Sequence, residues 1–273
     1  MSRVALVTGA ARGIGAATVR GLAAAGWSVL AVDRCADDPA LPYPLGTRDE
    51  LDRLAAEVSA AAGGPGTVPG RPGTVAAMAA DARDPGAMAE AVAAAERRWG
   101  GLDAAIAAAG VIAGGVPLWE MPEDQQRAVL DTDLGGVLAL ARAAVPALLR
   151  RAPPRSGRFL AVASAAATRG LPMLAAYCAA KAGVTGLIRA LAVELRGSGV
   201  TANAVSPGST DTPMLAESAR LYGLPGGDAF AGRQPLDRLL RADEVAAALV
   251  WLAGEGSSGM TGAVVPVDGG LAL

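Results

Sequence analysis

Tyr177 and Lys181 have residue types and a spacing that suit proton transfer. Four positions apart on a helix, two side chains share one face and lie within reach of each other. A phenol titrates near ~10 in water and is a poor base at neutral pH, but an adjacent ammonium favours the phenolate. Ser164, thirteen positions before Tyr177, can hydrogen-bond the same substrate oxygen. The spacing alone also fits a solvated surface pair; with Ser164 it predicts acid–base chemistry on a small molecule.

A glycine-rich segment, Thr8–Gly15, stands between an apolar run and a helical pattern. Glycines at such a junction let the backbone turn sharply and bring N–H groups close to a pyrophosphate, and the helix N-terminus adds unpaired donors. Asp33 follows 18 residues after Gly15, where a carboxylate can accept hydrogen bonds from both ribose hydroxyls of an adenosine. That carboxylate would repel a 2′-phosphate and so predicts NAD rather than NADP. Arg12 and Arg34 are nearby cations that would weaken the preference.

The rest of the chain alternates apolar strand patterns with helical patterns. Strands are predicted at residues 3–8, 28–33, 102–109, 158–165, 200–205 and 263–267, and helices at 14–25, 85–99, 123–150, 175–196 and 242–253. Continuous apolar strands that alternate with helices indicate a parallel sheet covered on both faces. We therefore predict an α/β fold of the Rossmann type, a doubly wound parallel sheet, with residues 1–273 forming a single dinucleotide-binding catalytic domain.

Residues 35–73 interrupt this alternation directly after the second predicted strand. The stretch holds two Pro/Gly-rich pieces around a helix that starts with capping-box spacing at Thr47 and Glu50. Leu51, Leu54 and Val58 then fall on one helical face. The pattern of this insertion is explained equally well by a surface loop that the fold tolerates and by an added functional element.

Composition and charge exclude several other classes of function. The 273 residues are 52% hydrophobic and carry 24 basic and 26 acidic side chains, which leaves a net charge of −2 and no basic surplus for nucleic acid. Histidine is absent, which removes His-dependent triads and His-ligated metals, and two cysteines predict neither a disulfide framework nor a structural zinc site. The longest uncharged stretch, residues 104–119, is too short for a membrane span. We expect a cytoplasmic protein with no metal, nucleic-acid or membrane partner.

Together these motifs resemble the classical short-chain dehydrogenases/reductases over nearly the whole chain. The matching residues are Thr8–Gly15, Asp33, Asp81, Ala109-Gly110, Ser164, Tyr177, Lys181, Asn203–Gly208 and Val267–Gly270. The resemblance implies an oxidoreductase that interconverts an alcohol and a carbonyl by hydride transfer with NAD. Ser164 would position the substrate oxygen, Tyr177 would take its proton, and Lys181 would poise Tyr177.

The same resemblance implies a set of cofactor contacts. Asp81-Ala82 would contact the adenine, and Gly110 would pack by the adenosine ribose. Pro207-Gly208, with Thr210 and Thr212, would hold the nicotinamide carboxamide, and Lys181 would bridge the nicotinamide ribose hydroxyls. The predicted cofactor set is Gly9, Arg12, Gly13, Ile14, Gly15, Asp33, Arg34, Asp81, Ala82, Ala109, Gly110, Tyr177, Lys181, Pro207, Gly208, Thr210 and Thr212.

The chain departs from the family pattern at two places. The usual Asn-Asn-Ala-Gly reads Ala107-Ala108-Ala109-Gly110, which lacks amide side chains that brace the sheet. Asp133 stands where the catalytic tetrad of the family has an asparagine, whose main-chain carbonyl holds a water leading to the lysine. A carbonyl survives the substitution, and a carboxylate close to Lys181 would also stabilise its charge. We include Asp133 in the predicted catalytic set with Ser164, Tyr177 and Lys181.

Residues 33–47 and 209–215 resemble, more narrowly, the mycofactocin-coupled branch of the family. In that branch the insertion accompanies a nicotinamide cofactor that does not readily leave, and electrons pass to an external peptide-derived carrier. The insertion would then cover the adenosine side of the cofactor and slow its dissociation. The alternatives are an ordinary dehydrogenase that exchanges free NAD and a non-catalytic dinucleotide-binding protein.

The predicted substrate contacts are mostly apolar. They are Ser164, Ala166, Leu171, Tyr177 and Met214, with further apolar residues in the loop after Thr212. We therefore expect a hydrophobic alcohol rather than a sugar or a charged acid.

Small residues on the helices at 123–150 and 175–196 permit close packing between helices. In the family such helices form a dimer face, and the C-terminal strand helps to build a tetramer. The resemblance therefore predicts a homodimer or homotetramer, although the abundance of Ala and Gly throughout the chain also explains the pattern.

Overall fold

Parallel strands form the centre of the protein. The fold is seen in a computed structural model that describes residues 2–61 and 73–273. Its seven strands are β1 (Val4–Thr8), β2 (Ser28–Asp33), β3 (Val75–Ala79), β4 (Ala104–Ala107), β5 (Arg158–Val162), β6 (Thr201–Pro207) and β7 (Val264–Val267). They make one sheet in the order β3-β2-β1-β4-β5-β6-β7, with parallel pairing throughout these ranges. The order reverses between β1 and β4, the place where ligands bind in doubly wound folds.

Helices connect the strands and cover both faces of the sheet. They are α1 (Gly13–Ala24), α2 (Arg48–Ala61), α3 (Pro85–Trp99), α4 (Glu123–Leu130), α5 (Gly136–Arg150), α6 (Ala175–Glu194), α7 (Pro213–Leu221) and α8 (Ala242–Ala253). A π-helical turn, Asp131–Gly135, joins α4 to α5. Local sequence sets several of these ends: Asp84 accepts hydrogen bonds from the backbone of Gly86 and Ala87, and Gly100 closes α3 in the left-handed conformation.

The core has two layers because alternate strand residues point to opposite faces of the sheet. On one face, buried leucines of α1, α2 and α8 pack together, among them Leu22, Leu54 and Leu249. On the other face, α3, α5 and α6 pack through residues such as Met88 and Leu140. The predicted doubly wound parallel sheet is confirmed.

Three elements differ from the sequence-based prediction. No strand was predicted at β3, because its alanine-rich sequence Val75–Ala79 carries little β-branched signal. The segment after Thr212 was expected to be a loop, but it forms the nine-residue helix α7, which starts with Thr212 as N-cap and Pro213 at the first position. The single helix predicted at 123–150 is interrupted by the π turn.

In the part of the chain that the structure describes, two helical stretches are long and apolar enough to cross a membrane by length and composition alone. They are Glu123–Arg150 and Ala175–Glu194, with mean hydropathies of 1.4 and 1.3. Their most apolar windows are 50% and 39% buried inside the protein. Both stretches contribute to the core beside the sheet, which accounts for their apolar character. The cytoplasmic location stays a prediction.

Candidate active site

A cavity of about 300 Å³ opens at the carboxyl ends of the strands, on both sides of the switch between β1 and β4. The glycine-rich segment and Asp33 lie at one end, and Ser164, Tyr177 and Lys181 lie at the other. The fold therefore brings together residues that are up to 263 positions apart in the chain, from Thr8 to Leu271.

The glycine-rich turn can exist only with glycine at two of its positions. Gly9 has φ +65°, and a Cβ there would lie 2.5 Å from the Cα of Ala109. A Cβ on Gly15 would lie 2.0 Å from the carbonyl oxygen of Gly9. The turn thus lets β1, the start of α1 and the end of β4 approach one another, which leaves the N-terminus of α1 facing the cavity. This cradle fits the pyrophosphate of a dinucleotide, because it offers backbone donors without obstructing side chains.

Thr8 braces the same junction. Its hydroxyl oxygen accepts hydrogen bonds from the backbone N–H of Ala108 at 3.3 Å and of Ala109 at 3.4 Å. The end of β4 is therefore held to β1 although Ala107 and Ala108 carry no amide side chains.

Asp33, at the end of β2, is held by the backbone on both sides. Its Oδ2 accepts from the N–H of Ala11 at 3.0 Å, and its Oδ1 accepts from the N–H of Cys35 at 3.1 Å. Gly46 lies against it, since a Cβ there would be 2.9 Å from Asp33 Oδ1. The carboxylate is fixed at the edge of the cavity, where it can meet the adenosine ribose of a dinucleotide.

Arg34 and Arg83 belong to a four-residue cluster with Asp38 and Asp81. Both guanidinium groups reach Asp38 Oδ2, at 2.7 Å from Arg34 and 2.8 Å from Arg83. Asp81 Oδ2 lies 2.7 Å from Arg83 and 3.3 Å from Arg34. Burial raises the pKa of Asp38, but the N–H of Ala40 and the two guanidinium groups outweigh it and hold the pKa below its ordinary value. The two positive and two negative charges cancel, so neither arginine is a free cation.

The segment 35–47, which follows β2, is held by hydrogen bonds to Arg12 and Ile112 and by one within the segment itself. Arg12 donates a hydrogen bond to the carbonyl of Pro44 at 2.7 Å, and the N–H of Leu45 donates to Asp37 at 2.7 Å. The Tyr43 hydroxyl accepts from the backbone N–H of Ile112 at 2.9 Å, which joins this segment to the loop after β4. We call residues 35–47 the cover segment. It spans from the Asp33 end of the cavity to the apolar cluster around Tyr177.

Tyr177 and Lys181 lie one turn apart on α6, both buried. The Lys181 ammonium donates to the carbonyl of Val162 at 3.1 Å and lies 5.6 Å from the centre of the Tyr177 ring. Ser164 follows Val162 at the end of β5, with its hydroxyl oxygen accepting from the N–H of Ala166 at 3.1 Å. The helix and the strand end thus direct a phenol, an ammonium and a hydroxyl toward one region of the cavity.

Asp133 lies behind Lys181, in the π turn. Its Oδ1 accepts from the backbone N–H of Val111 at 2.8 Å, and its Oδ2 lies 3.1 Å from Lys181 Nζ. The Oδ2 contact has the distance of an ion pair without the angles of a hydrogen bond. Asp133 is completely buried and does not line the cavity. Its carboxylate contacts Lys181 and the loop at Val111 directly.

The charges in this group influence one another. Burial has the largest effect on the pKa of Tyr177 and raises it, and the charge of Asp133 raises it further. The charge of Lys181 and a hydrogen bond with Ser164 lower it, but the pKa stays above its ordinary value. Burial lowers the pKa of Lys181, but the charges of Asp133 and Tyr177 outweigh burial and hold it above its ordinary value. Lys181 therefore stays an ammonium at neutral pH, and Asp133 opposes part of its effect on the phenol.

An apolar wall continues the cavity beyond Tyr177. Leu171, Met214 and Tyr222 line it and pack in the same cluster as Tyr177. Ala166 is buried in that cluster but does not line the cavity. Helix α7 supplies much of this wall, so the residues expected in a loop are held on a regular element.

All residues predicted to contact the cofactor line this cavity: Gly9, Arg12, Gly13, Ile14, Gly15, Asp33, Arg34, Asp81, Ala82, Ala109, Gly110, Tyr177, Lys181, Pro207, Gly208, Thr210 and Thr212. The sequence reasoning missed Tyr43, Arg83, Phe230, Arg233 and Leu271, which also line it. Tyr43 stood in the insertion pattern but carried no signal for its position. Within residues 2–61 and 73–273, no group of three or more His, Cys, Asp or Glu side chains is arranged to hold a metal ion.

Comparison with known proteins assigns the family. A family model described as Enoyl-(Acyl carrier protein) reductase matches residues 66–272. Cis-4-hydroxycyclohexanecarboxylate dehydrogenase of Sinomonas cyclohexanicum is 36% identical over 272 residues, 98% of this chain and 96% of the relative. The (-)-trans-carveol dehydrogenase of Rhodococcus erythropolis is 34% identical over 282 residues, 99% and 98% of the two chains. The chain belongs to the classical short-chain dehydrogenases/reductases.

A solved member of this family has nearly the same fold. The crystal structure of carveol dehydrogenase from Mycobacterium avium in complex with NAD superposes with a TM-score of 0.89. It is 32% identical and covers 98% of this chain and 97% of its own. In this short-chain dehydrogenase/reductase, the strand ends, the cover segment and α7 together enclose the cavity.

Proposed function

We propose that this chain is an NAD-dependent oxidoreductase that interconverts a hydrophobic secondary alcohol and its ketone. The proposal rests above all on one observation: Ser164, Tyr177 and Lys181 line the same cavity as a dinucleotide cradle that ends in a fixed carboxylate, Asp33. The relatives named for oxidation of carveol and of a hydroxycyclohexanecarboxylate point to the same reaction class.

Ser164, Tyr177 and Lys181 each have a separate role in the reaction. Ser164 hydrogen-bonds the substrate oxygen and fixes the carbinol carbon, and Tyr177 takes the hydroxyl proton. Lys181 stabilises the phenolate by its charge while the Val162 carbonyl holds the ammonium in place. The nicotinamide of NAD, when bound, supplies the carbon that accepts the hydride. In ketone reduction Tyr177 returns the proton to the same oxygen.

Cofactor choice follows from the adenosine end of the cavity. Asp33 presents a carboxylate where the ribose would lie and repels a 2′-phosphate. Arg34 and Arg83 cannot offset this repulsion, because Asp38 and Asp81 already neutralise them. We therefore assign NAD rather than NADP.

We further propose that NAD is retained between turnovers and is reoxidised by an external carrier of the mycofactocin type. The ties of the cover segment support retention: Arg12 to Pro44, Tyr43 to Ile112, and Asp38 to two arginines. A dinucleotide beneath this segment would leave only after several of these contacts break. With NAD held in place, the electrons must leave through a second redox partner.

Exposed apolar side chains support a homodimer or homotetramer. Leu138 on α5 is 42% exposed, and Val193 on α6 is 65% exposed. These are the helices on which the sequence predicts a dimer face. Light scattering of the purified protein measures the mass, and a monomer at micromolar concentration would contradict this part of the proposal.

The catalytic assignment is tested with Tyr177→Phe, which removes only the phenol oxygen. We expect alcohol oxidation to fall by about 10²- to 10⁴-fold, the usual contribution of a positioned acid–base group. Cys178→Ala, the next residue on α6, is the matched control and should retain activity. Turnover of Tyr177→Phe near the wild-type value would contradict the role given to Tyr177, whereas a folded wild-type protein that binds NAD but oxidises no alcohol would favour a non-catalytic dinucleotide-binding protein.

Retention is tested separately by purifying the protein without added nucleotide, denaturing it and assaying the supernatant for NAD and NADH. Near-stoichiometric release supports a retained cofactor and calls for assays with artificial electron acceptors. An empty protein that turns over only with added NAD would show an ordinary dehydrogenase that exchanges its cofactor.

A further inference from the structure

Arg233 lines the cavity near the apolar wall, at the end of a 3₁₀ stretch, Gly227–Arg233, that follows α7. Its guanidinium carbon lies 4.8 Å from the ring centre of Phe230 and 5.9 Å from that of Tyr222. The two rings meet edge to face, with centres 6.1 Å apart. Phe230 is buried, and the Tyr222 hydroxyl donates to the Pro172 carbonyl at 2.7 Å. The rings are therefore fixed, and they hold the guanidinium by cation–π attraction.

Arg233 differs in its partners from the other arginines that line the cavity. Arg34 and Arg83 are neutralised by Asp38 and Asp81, and Arg12 donates to the Pro44 carbonyl. No carboxylate of residues 2–61 and 73–273 lies within 4.0 Å of the Arg233 side-chain nitrogens, and the 62–72 stretch contains no acidic residue. Within the described residues, Arg233 thus has no carboxylate partner beside the apolar wall of the cavity.

Acidic groups of the cavity lie at the opposite end. Asp33 and Asp81 are the carboxylates among its lining residues, and both belong to the adenosine end of the predicted cofactor site. Between Tyr177 and Arg233 the lining includes Leu171, Met214 and Tyr222. A ligand seated against this wall would meet a proton-transfer group, an apolar surface and a cation.

We propose that Arg233 binds a carboxylate on the substrate, so that the enzyme prefers an apolar alcohol that carries an acid group away from the reacting carbon. This inference rests on the proposed function. A guanidinium recognises a carboxylate through two parallel hydrogen bonds, and aromatic faces restrict its movement without neutralising it. The proposal narrows the predicted hydrophobic alcohol to one with an acid group, because the apolar sequence pattern gave no signal for a cation at this wall.

The test compares three alcohols of one ring size: cyclohexanol, 4-hydroxycyclohexanecarboxylate and the methyl ester of that acid. Each is assayed with the wild-type enzyme and with Arg233→Gln, Arg233→Lys and Arg220→Gln. Arg220 is the control because it lies on α7, pairs with Glu217 and does not line the cavity. Circular dichroism of each variant checks that the fold is intact.

We expect the wild-type KM for the acid to be about tenfold lower than the KM for the ester. This ratio is at the low end for a hydrogen bond to a charged group, because Arg233 is exposed to solvent. Arg233→Gln should remove this difference between acid and ester, Arg233→Lys should keep part of it, and Arg220→Gln should keep all of it and leave the KM for cyclohexanol unchanged. Equal KM values for acid and ester, or an acid preference that survives Arg233→Gln, would overturn the inference while leaving the proposed function intact. If the folded wild-type enzyme oxidises none of the three alcohols, the proposed function fails and this inference fails with it.

Discussion

Lys181 and Asp133 form a buried ion pair, with 3.1 Å between Nζ and Oδ2. Lys181 also donates to the Val162 carbonyl and lies beside the Tyr177 ring. The family pattern implied only a main-chain role at position 133, through a water. Here the carboxylate itself reaches the lysine, so its charge enters the electrostatics of proton transfer. Asp133 touches neither cavity nor substrate and is a positioning residue for Lys181.

Asp133→Asn tests this electrostatic role with little change in side-chain shape. Asp133 raises the pKa of Tyr177, so its neutralisation should lower that pKa. The acid limb of the pH profile for alcohol oxidation should therefore move to lower pH. The pKa of Lys181 should fall as well, because burial then acts without its counterion, and a decline at alkaline pH should begin earlier.

The measurement is kcat against pH for wild type and Asp133→Asn with one saturating alcohol. Asp131→Asn, two residues earlier in the same π turn and exposed, is the matched control. A purely structural role would lower kcat equally at all pH values and leave both limbs in place, which would refute the electrostatic account.

Lys181→Met should destabilise the protein, because it leaves the Asp133 carboxylate buried without a counterion. Breaking one side of a buried ion pair costs about 3–5 kcal/mol in the free energy of unfolding. The double variant Lys181→Met/Asp133→Asn should recover much of this loss and remain inactive. Urea unfolding of the wild type, the two single variants and the double variant gives the free energies of unfolding for a double-mutant cycle. If the effects of the two changes simply add, Lys181 and Asp133 are not energetically coupled.

The pH dependence of the Lys181→Met variant has a definite sign. Burial raises the folded-state pKa of Asp133 above its ordinary 3.8, so the folded state binds a proton more tightly than the unfolded state. Stability should therefore fall as the pH rises from about that ordinary value through the raised one. Without the opposing charge of Lys181, the total fall should be larger than in wild type and should extend to higher pH.

Local signals in the sequence predicted most of the secondary structure. The capping box at Thr47 and Glu50 is present, with the Thr47 N–H donating to Glu50 at 2.7 Å and the Glu50 N–H donating back to Thr47 at 3.2 Å. Asp84 caps α3 as its position before a proline indicated. In contrast, β3 was missed because alanine-rich strands at a sheet edge lack the β-branched pattern, and they form only by pairing with a neighbour, here β2.

Contacts between distant segments could not be predicted in the same way. The hydrogen bond from Ile112 to Tyr43 joins residues 69 positions apart, and neither residue type indicates the other. Arg233 was equally hidden, because its value as a ligand group depends on which acids surround it in space. The predicted cofactor residues line a common cavity, because parallel strands end at a common edge of the sheet, and their contacts with NAD stay a prediction.

Asp38→Asn should relax the preference for NAD. The variant changes the charge of the Arg34, Arg83, Asp38 and Asp81 cluster from zero to +1 at the end of the cavity where a 2′-phosphate would lie. One added charge at this range gives about a fivefold gain in relative kcat/KM for NADP. The assay uses protein freed of nucleotide, with Asp52→Asn as the control because Asp52 forms an exposed ion pair with Arg48 on α2. If the ratio of kcat/KM for NADP to kcat/KM for NAD is unchanged, Asp33 alone determines the preference for NAD.

Tyr43→Phe should shorten the residence time of NAD. The variant removes the acceptor of the Ile112 N–H, and an unsatisfied buried donor costs about 1–3 kcal/mol. Because this bond ties the cover segment to the loop after β4, its loss should favour local opening there and speed NAD release by about tenfold or more. Tyr222→Phe, which removes a hydroxyl at the opposite end of the cavity, is the matched control. The rate of NAD release is measured after the NAD-loaded protein is diluted into a solution of an NAD-degrading enzyme. If Tyr43→Phe lowers the free energy of unfolding but leaves this rate unchanged, the cover segment does not retain the cofactor.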